Sequence, residues 1–136
     1  MFFEKEDNNE VEDLGKVAAL LIHAAKIDEK YSSHEEEIIR KTLLEIGAEK
    51  INIEIIIEKG KKIEANSTQI LDFTKKVKNM TEQNKLKLIE SLWKIIYSDK
   101  EADIYETSLM RRLAGLLYID NKVMGDIKEK IKKENS

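Results

Sequence analysis

The 136-residue chain has no cysteine, no proline and only five glycines. Without cysteine there is no disulfide, no thiolate zinc site and no cysteine nucleophile. Few helix breakers, together with 41% hydrophobic and 38% charged residues, predict a folded and charge-rich helical protein. The length suits one domain, which we place over residues 1–136, with fraying expected at 1–10 and 133–136.

A basic surplus is also missing, because the formal net charge is −3. Neutralising phosphates requires clustered lysine and arginine, so we expect no nucleic-acid partner. No apolar run approaches the roughly 20 residues that cross a bilayer, so we expect no direct membrane insertion. The N-terminal stretch MFFEKEDNNE lacks the basic and apolar regions of a signal peptide, which predicts a cytoplasmic protein.

Apolar residues recur at three- and four-residue steps along most of the chain, which predicts amphipathic helices that begin with the segment from Val11 to Ile27. The segment 86–96 is apolar over most of its circumference and carries the only tryptophan, Trp93, so we expect it at the centre of the core. Other residues suggest helix boundaries, namely Thr81 and Asp120 as N-caps and Gly47 as a C-terminal stop.

One segment, INIEIIIEKGKKIEAN at 51–66, is ambiguous because its first isoleucines alternate as in a strand. We predict a helix there, since the sequence has no second strand-like run to pair with its backbone groups. Gly60 would cost about 1 kcal/mol inside that helix, so a break at this position is an alternative.

Two helix–loop–helix units resemble each other when Asp28 is placed on Asp99. Glu35 then falls on Glu106, and other matches include Leu21 with Leu92, Ala25 with Ile96 and Arg40 with Arg111. The shared order is a helix, an aspartate, a short loop, an N-cap, a glutamate and a second helix. This order predicts two pseudo-symmetric helical halves.

The second unit carries a cluster of acids at Asp99, Glu101, Asp103 and Glu106. Carboxylates at alternate positions of a loop can direct their oxygens toward a hard cation such as calcium. The EF-hand spacing is not met, because Ile104 and Met110 stand where that loop needs a glycine and a bidentate glutamate. The first unit has fewer acids, since Lys30 and Ser32 replace two of them.

Helix capping offers a structural explanation for part of this pattern. Asp103 and Glu106 have the spacing of an N-cap and its partner three residues later. Ser32 and Ser33 are also candidate N-caps, each with a glutamate three residues further on, the first of them Glu35. Capping alone would account for these residues without any metal.

Asp28 and Asp99 are harder to explain by capping. Each follows the C-terminus of a predicted helix, where the helix dipole disfavours a negative charge by about 0.3–1 kcal/mol. A cation would compensate, and so would a neighbouring arginine, for which Arg40, Arg111 and Arg112 are available. The residues alone leave both interpretations open.

The histidines are weaker candidates. His23 falls in the middle of a helix and is expected at the surface or at a boundary. His34 falls in a first helical turn near Asp28 and Glu35, so a histidine–carboxylate metal site is one option and a structural role the simpler one. The sequence has no Ser–His–Asp set, glycine-rich phosphate loop or Glu-x-x-His motif, so we predict no enzymatic activity.

The chain resembles the tellurite-resistance TerB-like family over roughly residues 17–127. The family's second signature is similar to LWKIIYSDKEADIYETSLMRRLAGLL, and its first to AKIDEKYSSHEEEIIRK. The resemblance implies a compact all-α bundle of about seven helices in two pseudo-symmetric halves. It also implies a divalent cation, with calcium first, held by Asp28, Glu35, Asp99, Glu101, Asp103 and Glu106.

The first loop departs from the family pattern at Glu29, often a glycine, and at Lys30, often an acid, which weakens that half-site. The resemblance further implies a bacterial stress-response sensor or scaffold with a protein partner, for which membrane-bound stress-response proteins are candidates. The alternative is a metal-free helical protein–protein interaction module whose acids cap helices and form salt bridges. Neither interpretation specifies an oligomeric state.

Overall fold

The structure, a computed structural model, describes residues 2–27, 31–66, 71–99 and 104–134. These ranges contain seven α-helices and no strand, which confirms the predicted all-α class. The helices are α1 (Phe2–Lys26), α2 (Ser33–Glu45), α3 (Ile53–Asn66), α4 (Leu71–Lys78), α5 (Glu82–Ile96), α6 (Ile104–Leu116) and α7 (Asn121–Glu134). Short 3₁₀ segments, Lys50–Asn52 and Tyr97–Asp99, precede α3 and follow α5.

The isoleucine-rich segment is helical, as predicted, and α3 continues through Gly60 without a break. Its isoleucines divide between core and solvent at helical spacing: Ile53, Ile56 and Ile57 are buried, whereas Ile51 and Ile55 are 82% and 56% exposed. The isoleucines therefore lie on a buried side and an exposed side of a helical segment, although their spacing in the sequence resembles that of a strand.

Local capping sets several helix boundaries where the sequence predicted them. The Thr81 hydroxyl accepts a hydrogen bond from the Asn84 backbone N–H at 3.2 Å. The Asp120 carboxylate accepts one from the Lys122 N–H at 2.7 Å. Gly47 has φ of 111°, a left-handed conformation that glycine adopts without strain, and it ends α2.

The first helix is longer than the apolar pattern indicated, beginning at Phe2 and not at Val11. Glu10 lies in this added part, and its carboxylate accepts hydrogen bonds from the Glu49 N–H at 3.1 Å and from the Asn52 side-chain amide. After Phe2 and Phe3 the extension is polar, so it carries no apolar periodicity by which the sequence could have revealed it. Contacts with the turn before α3 attach it to the bundle.

Helix α5 lies in the core, as predicted. Trp93 is 1% exposed, and its ring stacks on Tyr97 with the ring centroids 5.8 Å apart. The aliphatic side chains of this helix are also fully buried, among them Leu88, Ile89, Leu92, Ile95 and Ile96. Burying one such side chain contributes about 1.5–3 kcal/mol, so α5 is a major source of stability.

Side-chain contacts fix the directions of the helices. Thr42 of α2 is hydrogen-bonded to Ser91 of α5 at 2.6 Å, and Lys87 of α5 donates to the Glu45 carbonyl of α2 at 3.3 Å. The later residue of α2 in these two contacts is paired with the earlier residue of α5, so the two helices are antiparallel. Because α1 packs against α2 and is joined to it by a short connection, α1 runs in the same direction as α5.

Candidate metal centre

The start of α2 and the end of α5 lie at the same end of the bundle. When the antiparallel register of these helices is continued by about two turns, Glu35 falls level with Ser98. Helix α1 ends there too, because it runs with α5. The fold therefore places the end of α1, the start of α2 and the end of α5 at the same end of the bundle.

Glu35 is 2% exposed and forms a capping box at the start of α2. Its carboxylate accepts a hydrogen bond from the Ser32 N–H at 2.8 Å, and its own N–H donates to the Ser32 hydroxyl at 3.1 Å. Of the two predicted serine caps, the structure uses Ser32, while Ser33 is the first residue of the helix. The box fixes the position and the burial of this carboxylate.

Glu106 occupies the corresponding place in the first turn of α6 and is 3% exposed. It lies close enough to Tyr97 to affect its ionisation: burial, and then the carboxylates of Glu129 and Glu106, raise the pKa of the Tyr97 hydroxyl. Each helix–loop–helix unit thus holds one buried glutamate where its second helix begins. The relation between the two halves as a pseudo-two-fold stays a prediction.

The other predicted ligands give less structural information. Asp28, Glu101 and Asp103 lie outside the described residues, and Asp99 ends a 3₁₀ segment that is described by its backbone. Among the side chains that are described, no three histidines, cysteines or acids group so as to hold a metal ion. The proposed ligand set therefore stays a prediction, and the structure contributes the burial of Glu35 and Glu106.

Arg40, one of the predicted charge partners, joins α2 to α3. Its Nε donates to Glu54 at 2.7 Å, and its Nη2 donates to Glu36 at 2.9 Å. The hydrogen bond from Arg40 is the main reason that the pKa of Glu54 is lowered. This arginine thus neutralises acids on the faces of α2 and α3.

The histidines occupy separate environments. His23 is a boundary residue, as predicted: its Nδ1 is 3.3 Å from a Glu64 carboxylate oxygen, and its ring centroid is 5.8 Å from that of Phe73. Lys26 donates to the other oxygen of Glu64 at 2.8 Å. His34 is exposed in the first turn of α2. The contacts of His23 thus tie α1 to α3 and α4.

Tyr31 is a residue that the sequence analysis missed. Its hydroxyl is buried and interacts with the Glu36 carboxylate. Burial, and then the nearby Glu36 carboxylate, raise the pKa of this hydroxyl. A tyrosine beside the predicted serine caps was the only available signal, since burial of its oxygen depends on the tertiary fold. Tyr31 adds a buried hydroxyl oxygen next to the Ser32–Glu35 capping box.

These features define a class: an all-α bundle in which two helix–loop–helix units each hold a buried glutamate at the start of the second helix. The family model for the tellurite resistance protein TerB matches residues 15–129. The chain belongs to this family, as the resemblance predicted. No curated protein and no solved structure matches the chain significantly. Over the described ranges, no helix is long and apolar enough to cross a membrane.

Proposed function

We propose that this TerB-family chain binds a divalent cation, with calcium the first candidate, where α2 begins and α5 ends. The observation that carries the proposal is the burial of Glu35 and Glu106 at corresponding places in the two units. The chain then acts as a cytoplasmic stress-response sensor or scaffold, without enzymatic activity. Its partner is a protein, for which the family resemblance points to membrane-bound stress-response proteins.

The electrostatic argument starts from the cost of buried carboxylates. A buried ionised group is strongly unfavourable unless hydrogen bonds or an opposite charge compensate it. The Ser32 N–H supplies one such hydrogen bond to the Glu35 carboxylate. Asp99 stands at the same end of the bundle, and four acids in all follow α5 within a few residues, namely Asp99, Glu101, Asp103 and Glu106. A hard cation with six to eight oxygen ligands is the chemical species that such a set suits.

The buried Tyr31 hydroxyl supports the same location. It is buried, adjoins the capping box of Glu35 and interacts with the Glu36 carboxylate. A buried hydroxyl oxygen can contact a cation or a water molecule that the cation coordinates. Its position next to Glu35 supports a site at this end of the bundle.

Thermal unfolding tests the proposal. The protein is first melted in EDTA and then with calcium, magnesium, manganese or zinc at millimolar concentration. A cation at 100 times its dissociation constant adds about 2.7 kcal/mol of stability, so the melting temperature should rise. Asp99→Asn should abolish this rise and leave the melt in EDTA nearly unchanged, whereas Asp126→Asn, an exposed change on α7, should retain it. If no cation raises the melting temperature, metal binding is ruled out.

The capping box favours a second candidate, a metal-free interaction module in which Glu35 serves only the start of α2. Glu35→Gln separates the two, because glutamine also completes a capping box. Under metal binding, this variant keeps its stability in EDTA and loses the cation-dependent rise. Under the metal-free alternative, the variant and the natural protein melt alike with and without every cation.

A further inference from the structure

A pocket of about 170 Å³ lies between α6 and α7, with α5 forming its inner wall. Its inner side is apolar, with the buried side chains of Trp93, Met110 and Met124. Gly125 lines the pocket, and a Cβ built there would meet no atom within 4 Å. A cavity of roughly 150 Å³ is large enough for a benzene-sized molecule, so the pocket has room for a small apolar body.

The polar side of this pocket consists of cations and neutral groups. Arg111 and Lys128 line it together with Thr107 and Asn121, and no described acidic side chain does. The Lys128 ammonium lies 5.5 Å from the centroid of the Trp93 ring. Within the described residues, neither Arg111 nor Lys128 forms an ion pair with a carboxylate. Among the described residues, two positive charges that form no ion pair therefore border the pocket.

Trp93 provides an independent observation at the same place. Its indole N–H is buried and has no hydrogen-bond partner in the described part of the chain. An unsatisfied donor inside a protein raises the local positive potential and favours a nearby negative charge. This donor belongs to a residue that lines the pocket, and the apolar wall sets the shape of the ligand.

We propose that this pocket binds a small organic carboxylate whose apolar body is about the size of a benzene ring. The body packs on Trp93, Met110 and Met124, and the carboxylate pairs with Arg111 and Lys128. Charge-assisted hydrogen bonds of this kind are about twice as strong as neutral ones, and arginine matches a carboxylate through two parallel N–H groups. The site uses none of the predicted metal ligands, so it stands or falls independently of cation binding.

Benzoate is the probe, and the readout is the indole N–H cross-peak of Trp93, which is unique because the chain has one tryptophan. Two analogues are compared in EDTA: benzamide has the shape without the charge, and acetate has the charge without the ring. We expect benzoate to shift the indole and Gly125 signals saturably, and the analogues to cause no saturable shift at the same concentrations. No saturation with benzoate, or equal binding of either analogue, would overturn the proposal.

Matched variants test the cations. Arg111→Gln and Lys128→Gln should each weaken benzoate binding by about tenfold or more. Arg112→Gln and Lys132→Gln remove exposed charges from the same helices outside the pocket and should leave the affinity unchanged. Circular dichroism verifies that each variant is folded. Equal losses in the Arg111 and Arg112 variants would show that general charge attraction, and not this pocket, holds the anion.

Discussion

Gly60 of α3 lies so close to Ala18 of α1 that a Cβ on Gly60 would stand 2.7 Å from the Cβ of Ala18. The α1 backbone is also near, with the nitrogen of Ala19 at 3.1 Å from the same position. Glycine inside a helix costs about 1 kcal/mol relative to alanine. Here it allows two helices to approach at a distance that a side chain would prevent. The residue that suggested a break in the sequence is therefore a packing contact.

Gly60→Ala should destabilise the protein by about 1–3 kcal/mol, because the added methyl group clashes with α1 despite the gain in helix propensity. Gly125→Ala is the matched control, since it lies inside α7 with open space around it, and it should stabilise by about 0.5–1 kcal/mol. Urea unfolding measures both changes. A stabilising Gly60→Ala would show that the contact between α1 and α3 relaxes without cost.

The buried hydrogen bond between Thr42 and Ser91 predicts a coupling between α2 and α5. Thr42→Val should destabilise by about 1–3 kcal/mol, because it leaves the buried Ser91 hydroxyl without this partner. Ser91→Ala should also destabilise, and the double variant should lose less than the two single changes together. A double-mutant cycle in urea measures the difference. Simple additivity would mean that the two hydroxyls contribute independently.

Glu64 predicts a dependence of stability on acid pH. Partial burial by itself would raise its pKa, but hydrogen bonds from Lys26 and His23 outweigh burial and hold the pKa of this carboxyl below its usual value. A lowered pKa in the folded state contributes stability above the unfolded pKa, and this stability is lost as the pH falls through the folded value. Glu64→Gln should therefore cost about 1 kcal/mol at neutral pH and progressively less in acid.

Urea unfolding at neutral pH and near pH 3 distinguishes this contribution from a general effect of charge. Glu58→Gln is the control, because Glu58 is exposed and its ion pair with Lys61 is a long contact of 3.5 Å within the same helix. It should change stability little at either pH. A cost of Glu64→Gln that stays constant into acid would contradict the assigned carboxylate interactions.

Tyr31 predicts that stability is lost as the pH rises, whereas the contribution of Glu64 is lost as the pH falls. Burial and the Glu36 carboxylate raise its pKa, so the folded protein keeps the hydroxyl protonated. The stability that this provides is complete below the unfolded pKa of about 10 and is lost as the pH rises above it. Tyr31→Phe should lose less stability than the natural protein between pH 8 and about 10.5, whereas the exposed Tyr105→Phe should follow the natural protein. Parallel pH profiles for both variants would contradict this account.

The helices were predictable because their signals are local. Thr81, Asp120 and Gly47 act within a few residues of themselves, and the apolar face of α5 repeats at helical spacing. Helix α3 was predicted by excluding a lone strand, an argument about backbone hydrogen bonds that needs no knowledge of neighbours. The resemblance to the TerB-like family was carried by short segments and extends over most of the chain.

Other features depend on residues far apart in the chain and could not be read from a pattern. The contact of Glu10 in α1 with Asn52 joins distant parts of the chain, and the close approach at Gly60 needs a particular neighbour in α1. The same is true of the buried hydroxyl of Tyr31 and of the pocket at Trp93. At the candidate metal centre, capping spacing predicted the places of Glu35 and Glu106, and their burial came from the tertiary fold.

The antiparallel register of α2 and α5 has a kinetic consequence. A ligand that contacts both Glu35 and the acids from Asp99 onward would cross-link positions separated by about 65–70 residues of chain, and the entropy of closing such a loop grows only slowly with its length. Unfolding would then require the ligand to leave before the ends of α2 and α5 separate. Binding of the ligand would therefore lengthen the lifetime of the folded state, even if the fold itself did not change shape.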